Sequence, residues 1–346
     1  MMKERDCQSD LIRVIAMIFV VGVHSLNFIS DHITASIVIK VIIISCNPMF
    51  FMLSGKFNLL FDPGENEKHS YSNYYKKKFI NIFMPFLVYC LLIHIYDYRD
   101  TLDFLTSAKT FGINFLTNNV SFHLWFMYEL IGLLIGAPFL AKLVRSMSDL
   151  ELKIFLSIAI IWNFISIILM TDMLQINLGF SGWILSGWML YFILGYYCSK
   201  VIKKLKTIVV FIGIGAICFI ITCMQIIYLP DRASNAYDLS PIYMFVALAI
   251  YLFLDRILLI KKNCVKRIIS FLAKYSFSIY LIHISVLKFI SDYTGIFQSI
   301  QNLNSYIQLI LAVIIIFVGS LILVFCIDNT LIKGIKKGLY RIMNVQ

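Results

Sequence analysis

Apolar residues in this chain come in long runs separated by short polar stretches. Each run is about as long as the 20 or so residues a helix needs to cross a bilayer. They predict helices near 11–30, 35–55, 79–96, 122–144, 152–171, 181–199, 207–228, 241–259, 268–290 and 305–327. The sixth is the most interrupted, by Gly182, Gly187 and Gly195. The first is too long for the core of a secretory signal and lacks a clear small-residue cleavage site, so a retained anchor is expected. No Pro/Ser-rich linker, low-complexity tract or inverted repeat interrupts the pattern. The longest outer stretch, 97–121, is too short for an appended catalytic domain. The expected fold is therefore all-α and integral to the membrane. It has about ten transmembrane helices in a single domain over 1–346, with no separate soluble domain.

The polar positions carry the orientation. With the N-terminus inside, the inner segments hold 25 of the 30 Lys and Arg residues. The outer ones hold only Lys40, Arg99, Lys109, Arg232 and Lys288. That is the positive-inside bias, and it places both termini in the cytoplasm. Composition agrees: 60% of residues are hydrophobic and 14% charged, against about 25% charged in soluble domains. The net charge of +11 is spread over loops rather than gathered on a reading surface, which excludes a nucleic-acid partner. Basic loops still attract anionic lipid or an anionic substrate. The eight cysteines show no CxxC spacing and sit mostly in apolar runs, so neither a disulfide framework nor a metal site is expected.

Arg13 and His24 share the first span, eleven residues apart. At about 100° per residue both side chains point to one helix face, about 16 Å apart along the axis. That separation is similar to the reach of an extended pantetheine arm. A cytoplasmic thioester donor would then rest its anionic end near Arg13 and present its acyl group near His24. Arg13 is also readable as a snorkelling anchor. A histidine inside a span is costly and points to function. His123 and Trp125 open the fourth span in Phe122-His123-Leu124-Trp125-Phe126, where an interfacial aromatic belt is the competing reading. Glu129 lies one turn after Trp125, placed for a hydrogen bond within the bundle or to a substrate hydroxyl. His283, in Tyr280-Leu281-Ile282-His283, lies at a depth similar to His24, which allows a common cavity or plain packing. Ser54 has no visible local base and reads as structural; Gly55 permits a close backbone approach. Lys76, Lys77 and Lys78 precede the third span. They read either as a topology signal or as a contact for donor phosphates.

Taken together, these segments resemble acyltransferase family 3. The markers are Arg13 with His24, Phe50 to Gly55, the basic stretch Lys76 to Pro85, His123 to Phe126, Tyr191 to Tyr196 and Tyr280 to His283. They run in order from the first span to the ninth. The resemblance implies transfer of an acyl group, usually acetyl from acetyl-CoA, to a carbohydrate hydroxyl, with no permanently bound cofactor. It implies a catalytic role for the histidine at position 24 and donor binding or an active-site role for Arg13. It also implies a bacterial inner-membrane location and an acceptor such as a surface polysaccharide or lipid-linked glycan. The family's basic stretch commonly reads Arg-x-x-Arg, whereas Lys78 and Asn81 stand here; lysine lacks the planar fork of arginine and Asn81 carries no charge. Whether His24 is a general base or a transient acyl carrier stays open. The rival reading is a transporter or flippase on the same membrane fold.

Overall fold

In the computed structural model, residues 6–26, 33–99, 103–176, 178, 187–229 and 238–345 are described. Among them the backbone is helical, joined by turns, with no strand. The helices are α1 (Cys7–Ser25), α2 (Ile33–Ile43), α3 (Cys46–Asn58), α4 (Glu67–Lys78), α5 (Met84–Tyr98), α6 (Phe104–Leu116), α7 (Trp125–Ser146) and α8 (Asp149–Asn163). They continue as α9 (Trp188–Lys200), α10 (Leu205–Tyr228), α11 (Pro241–Leu252), α12 (Asn263–Tyr293), α13 (Ile296–Ile300), α14 (Ser305–Ile327) and α15 (Lys333–Ile342). π-helical turns at Phe79–Phe83 and Asp328–Ile332 join α4 to α5 and α14 to α15. Two more, Phe164–Met173 and Phe253–Ile257, prolong α8 and α11.

Eight of these helical segments are long and apolar enough to cross a membrane. The remaining two expected spans correspond to α9, with 13 residues, and α11, with 12 before its π turn. Residues 181–186 of the sixth expected span, Gly182 among them, and the cations Lys3, Arg5 and Arg232 lie outside the described residues. The stretch 97–121, expected as a loop, contains α6. Its Phe104, Leu105 and Leu116 are exposed, as in a helix lying in the membrane interface.

The chain divides into two compact units: 1–61 with 139–274, and 62–138 with 275–346. The first is organised by a close crossing of α3 and α9. A Cβ built on Gly55 would sit 1.7 Å from the Phe192 carbonyl oxygen, and one on Gly195 would sit 1.7 Å from that of Met52. Each glycine thus admits the other helix's backbone. Small residues also bring α10 onto α11, where a Cβ on Gly215 would lie 2.2 Å from the Ala249 methyl.

In the second unit, Pro138 interrupts α7. Proline has no N–H to offer the carbonyl four residues back, which is that of Leu134. The Tyr74 hydroxyl supplies the missing donor at 2.9 Å, and the Tyr75 hydroxyl bonds the next carbonyl, Ile135, at 3.0 Å. Elsewhere in this unit Tyr89 and Ser278 donate to the two carboxylate oxygens of Asp328 at 2.9 and 2.8 Å, so helices α5 and α12 are tied to the π turn after α14.

Candidate active site

The first unit carries Arg13 and His24 on one unbroken helix, α1. Continuity of the helix puts them on one stripe, as their spacing requires. Met17 and Val20 stand on that stripe between them and are buried, so it faces protein rather than lipid. Arg13 is half-buried, its guanidinium 2.6 Å from the carboxylate of Asp10 and 5.3 Å from the centre of the Phe57 ring. Asp10 is almost wholly buried, at 1% exposure. The arginine is therefore held by a short charge-assisted bond and a ring face.

A second polar cluster lies at the same end of α1. The Lys56 ammonium reaches Asp6 at 2.9 Å, the Ser9 hydroxyl at 3.0 Å and Asp255 at 2.9 Å. The other Asp255 oxygen lies 2.8 Å from Arg256 Nε. Gln8 donates to the carbonyls of Leu254 and Leu258, clamping α1 onto the end of the π turn. Burial alone would raise the Asp6 carboxyl; the Ser9 hydroxyl and the Lys56 ammonium outweigh it and hold it down at about 2.

His24 occupies the last turn of α1, half-buried. Two residues before it Gly22 faces the Ile43 side chain of α2. Farther along this unit, Asn47 donates to the Asp238 carboxylate at 3.2 Å, and the Tyr191 hydroxyl donates to the Asp238 backbone carbonyl. Burial pushes the Asp238 carboxyl up to about 6, and the Asn47 bond only partly offsets it. Beside them Phe51, Trp188 and Tyr191 form a continuous aromatic stack, with ring centres 4.7 and 5.9 Å apart.

The second unit brings His123 and His283 together. Their ring centres are 4.9 Å apart, edge to face, and both are buried. The surrounding acceptors set the tautomers. His123 Nε2 faces the Leu281 carbonyl at 3.2 Å and so carries the proton, while its Nδ1 accepts from Ser121 at 2.9 Å. His283 Nδ1 faces the Tyr280 carbonyl at 2.7 Å and is protonated, which leaves the lone pair on Nε2. The Tyr280 hydroxyl bonds the His123 carbonyl and completes the cluster. Trp125 is half-buried against Phe126. Glu129 is exposed and does not join the histidines.

The basic stretch of this unit is differentiated. Lys76 is bound to the Met343 carbonyl at 2.8 Å, Lys77 is exposed, and Lys78 lies over the Tyr74 ring at 5.2 Å. Asn81 bonds the Tyr340 hydroxyl at 2.6 Å and so anchors α15.

A family model described as "Acyltransferase domain", that of acyltransferase family 3, matches residues 8–328. The chain belongs to this family. No curated protein and no solved structure matches it. As a member of family 3 it is a multi-pass membrane protein with an acyltransferase role. The match starts at Gln8, ahead of Arg13, and ends at Asp328, and so takes in residues of both compact units.

Several polar residues of this family 3 chain escape a reading from sequence. Asp10 had a signal, since an acid three residues before Arg13 is a helical neighbour. Lys56, Asp6 and Asp255 had none: Asp255 lies 199 positions from Lys56, and only the fold joins them. Asp238 and Asn47 are likewise 191 positions apart.

Proposed function

We propose that this protein is an O-acetyltransferase of the bacterial inner membrane. It moves acetyl from cytoplasmic acetyl-CoA to a hydroxyl of a surface polysaccharide or lipid-linked glycan. The observation that carries this reading is α1: in an acyltransferase chain, one helix holds a fixed guanidinium and a half-buried imidazole on a single protein-facing stripe. Arg13, held by Asp10, is the contact for the anionic part of the donor. His24 is the general base.

In this scheme the imidazole takes the proton of the acceptor hydroxyl as its oxygen attacks the thioester carbonyl. The C–S bond breaks, and the departing thiolate of CoA recovers the proton from the imidazolium. The variant in which His24 itself is acetylated first, then deacetylated by the hydroxyl, uses the same residue as nucleophile. Lys77, the exposed cation of its stretch, is a candidate donor-phosphate contact, with Lys76 beside it in sequence. His283, through the lone pair on Nε2, with His123, Trp125 and Glu129, are candidate acceptor contacts. Each is tested by single substitution.

The deciding experiment is transfer of labelled acetyl from acetyl-CoA to candidate glycans by purified protein. His24→Ala is expected to lower the rate at least about 100-fold, the usual contribution of one positioned acid–base group. Arg13→Gln is expected to raise KM for acetyl-CoA. Near-native turnover by His24→Ala at equal expression removes His24 from the chemistry. A wild-type protein that never consumes acetyl-CoA supports solute transport instead.

A further inference from the structure

We propose that the cleft beside Lys78 is a binding site for an anionic phospholipid, separate from the transfer chemistry. The cleft lies in the second unit, has a volume of about 240 Å³ and is open on one side. Its walls are apolar, among them Phe79, Phe83, Ile131 and Ile135. Lys78 is the one cation in its lining. The one other polar side chain of the lining, Tyr75, donates its hydroxyl to the Ile135 carbonyl, so the walls offer a soluble anion little beyond that single ammonium but accept a hydrocarbon chain.

The charge sits where a headgroup phosphate needs it. Lys78 is the last charged residue before the apolar run that starts at Phe79, so its ammonium marks a membrane boundary while its stem lies along the wall. Among the described residues it pairs with no carboxylate and lies over the Tyr74 ring. Helix α15, whose Lys336 and Lys337 add charge, is fastened to the turn after Lys78 by Asn81 and Tyr340. Positive charge at this density attracts anionic lipid over zwitterionic lipid.

The cleft is also built rather than incidental. Its floor is the π turn Phe79–Phe83, and its far wall is the segment of α7 that holds Leu134, whose carbonyl Pro138 leaves without a helical donor, and Ile135. The Tyr74 and Tyr75 hydroxyls bond the Leu134 and Ile135 carbonyls and fix the spacing between α4 and α7 beside the cleft. An acyl chain in the cleft with its phosphate at Lys78 satisfies the walls and the ammonium together.

The test uses the full chain purified in detergent and titrated with phosphatidylglycerol or phosphatidylcholine, read by native mass spectrometry and by thermal midpoint. Phosphatidylglycerol is expected to remain bound and raise the midpoint, while phosphatidylcholine does neither. Lys78→Gln is expected to weaken phosphatidylglycerol binding about fivefold, the effect of losing one basic side chain at a lipid surface. Lys142→Gln, an exposed cation on α7, is expected to leave it unchanged. Ile131→Trp fills the cleft and should abolish retention; if that variant fails to fold, Lys78→Gln decides alone. Equal binding of both lipids, or equal weakening by Lys78→Gln and Lys142→Gln, overturns the proposal. So does displacement of phosphatidylglycerol by glycerol phosphate or CoA at millimolar concentration, which marks a soluble-phosphate site.

Discussion

The carbonyl of Leu134 shows how one residue's deficiency is met by another's side chain. Pro138 takes away its helical donor, and a carbonyl left bare inside the protein costs about 1–3 kcal/mol. Tyr74→Phe should therefore destabilise the protein by about that much, measured as thermal or denaturant unfolding in detergent. Pro138→Ala restores an N–H, so in that background the cost of Tyr74→Phe should shrink markedly; an unchanged cost means the hydroxyl acts otherwise. A second residue-scale prediction concerns acid. Asp6 titrates at about 2 in the folded protein against 3.8 as its ordinary value. A depressed acid contributes stability above its unfolded pKa, and that contribution is lost as pH falls through the folded value. The unfolding midpoint should thus decline between about pH 4 and pH 2 through Asp6 among other carboxylates. Asp6→Asn should flatten that branch and lower stability at neutral pH. If the two acid branches superimpose, the Lys56 cluster does not couple to Asp6 in solution.

At the scale of elements, the crossing of α3 and α9 leaves no room for a side chain at either glycine. A methyl on Gly55 or Gly195 would overlap a backbone carbonyl of the partner helix, and no rotamer change relieves that. Gly195→Ala and Gly55→Ala should each cost about 3 kcal/mol or more, at the upper end of overpacking effects. Gly136→Ala, with open space around it in α7, should be neutral or stabilising by up to about 1 kcal/mol. Folded yield on size exclusion and thermal midpoint separate these outcomes. Sequence makes part of this legible. A Gly55 placed for close approach is readable, and so is the Arg13–His24 stripe, because both rest on local helical spacing. The partner of Gly55 is not readable, because Phe192 lies 137 positions away. The short helix α6 escapes for another reason: it is too brief to span, so its apolar positions look like a loop among spans. In the structure its Phe111 and Phe115 pack toward His94, Phe86 and Tyr128, while its other face stays exposed. Likewise the pairing of His123 with His283 is set by two helices meeting, not by any local pattern.

For the whole molecule the open quantity is how the chain threads the bilayer. Eight segments are long enough to cross on their own; α9, with 13 residues, rises only about 20 Å against a hydrocarbon thickness of about 30 Å. Length is a requirement on helices that meet lipid. From Leu190 to Tyr196 every residue of α9 is buried, so neighbouring helices, not lipid, surround it. Its polar ends then need no match to the bilayer. The charge pattern argues that α9 and α11 do cross. Lys200 ends α9, Lys203 and Lys204 lie between α9 and α10, and Lys206 is in the first turn of α10; with ten crossings and an inner N-terminus this junction is cytoplasmic, in keeping with the positive-inside rule. With eight crossings it falls outside, and these lysines oppose the rule. A cysteine placed at Lys203, in a chain whose native cysteines are replaced by serine or alanine, discriminates directly. A membrane-impermeant maleimide applied to intact spheroplasts should leave Lys203→Cys unmodified and label it after permeabilisation. A cysteine at Leu229, beyond the end of α10, should behave in the opposite way. Labelling of Lys203→Cys in intact spheroplasts, with Leu229→Cys protected, means that α9 and α11 enter the membrane without crossing it.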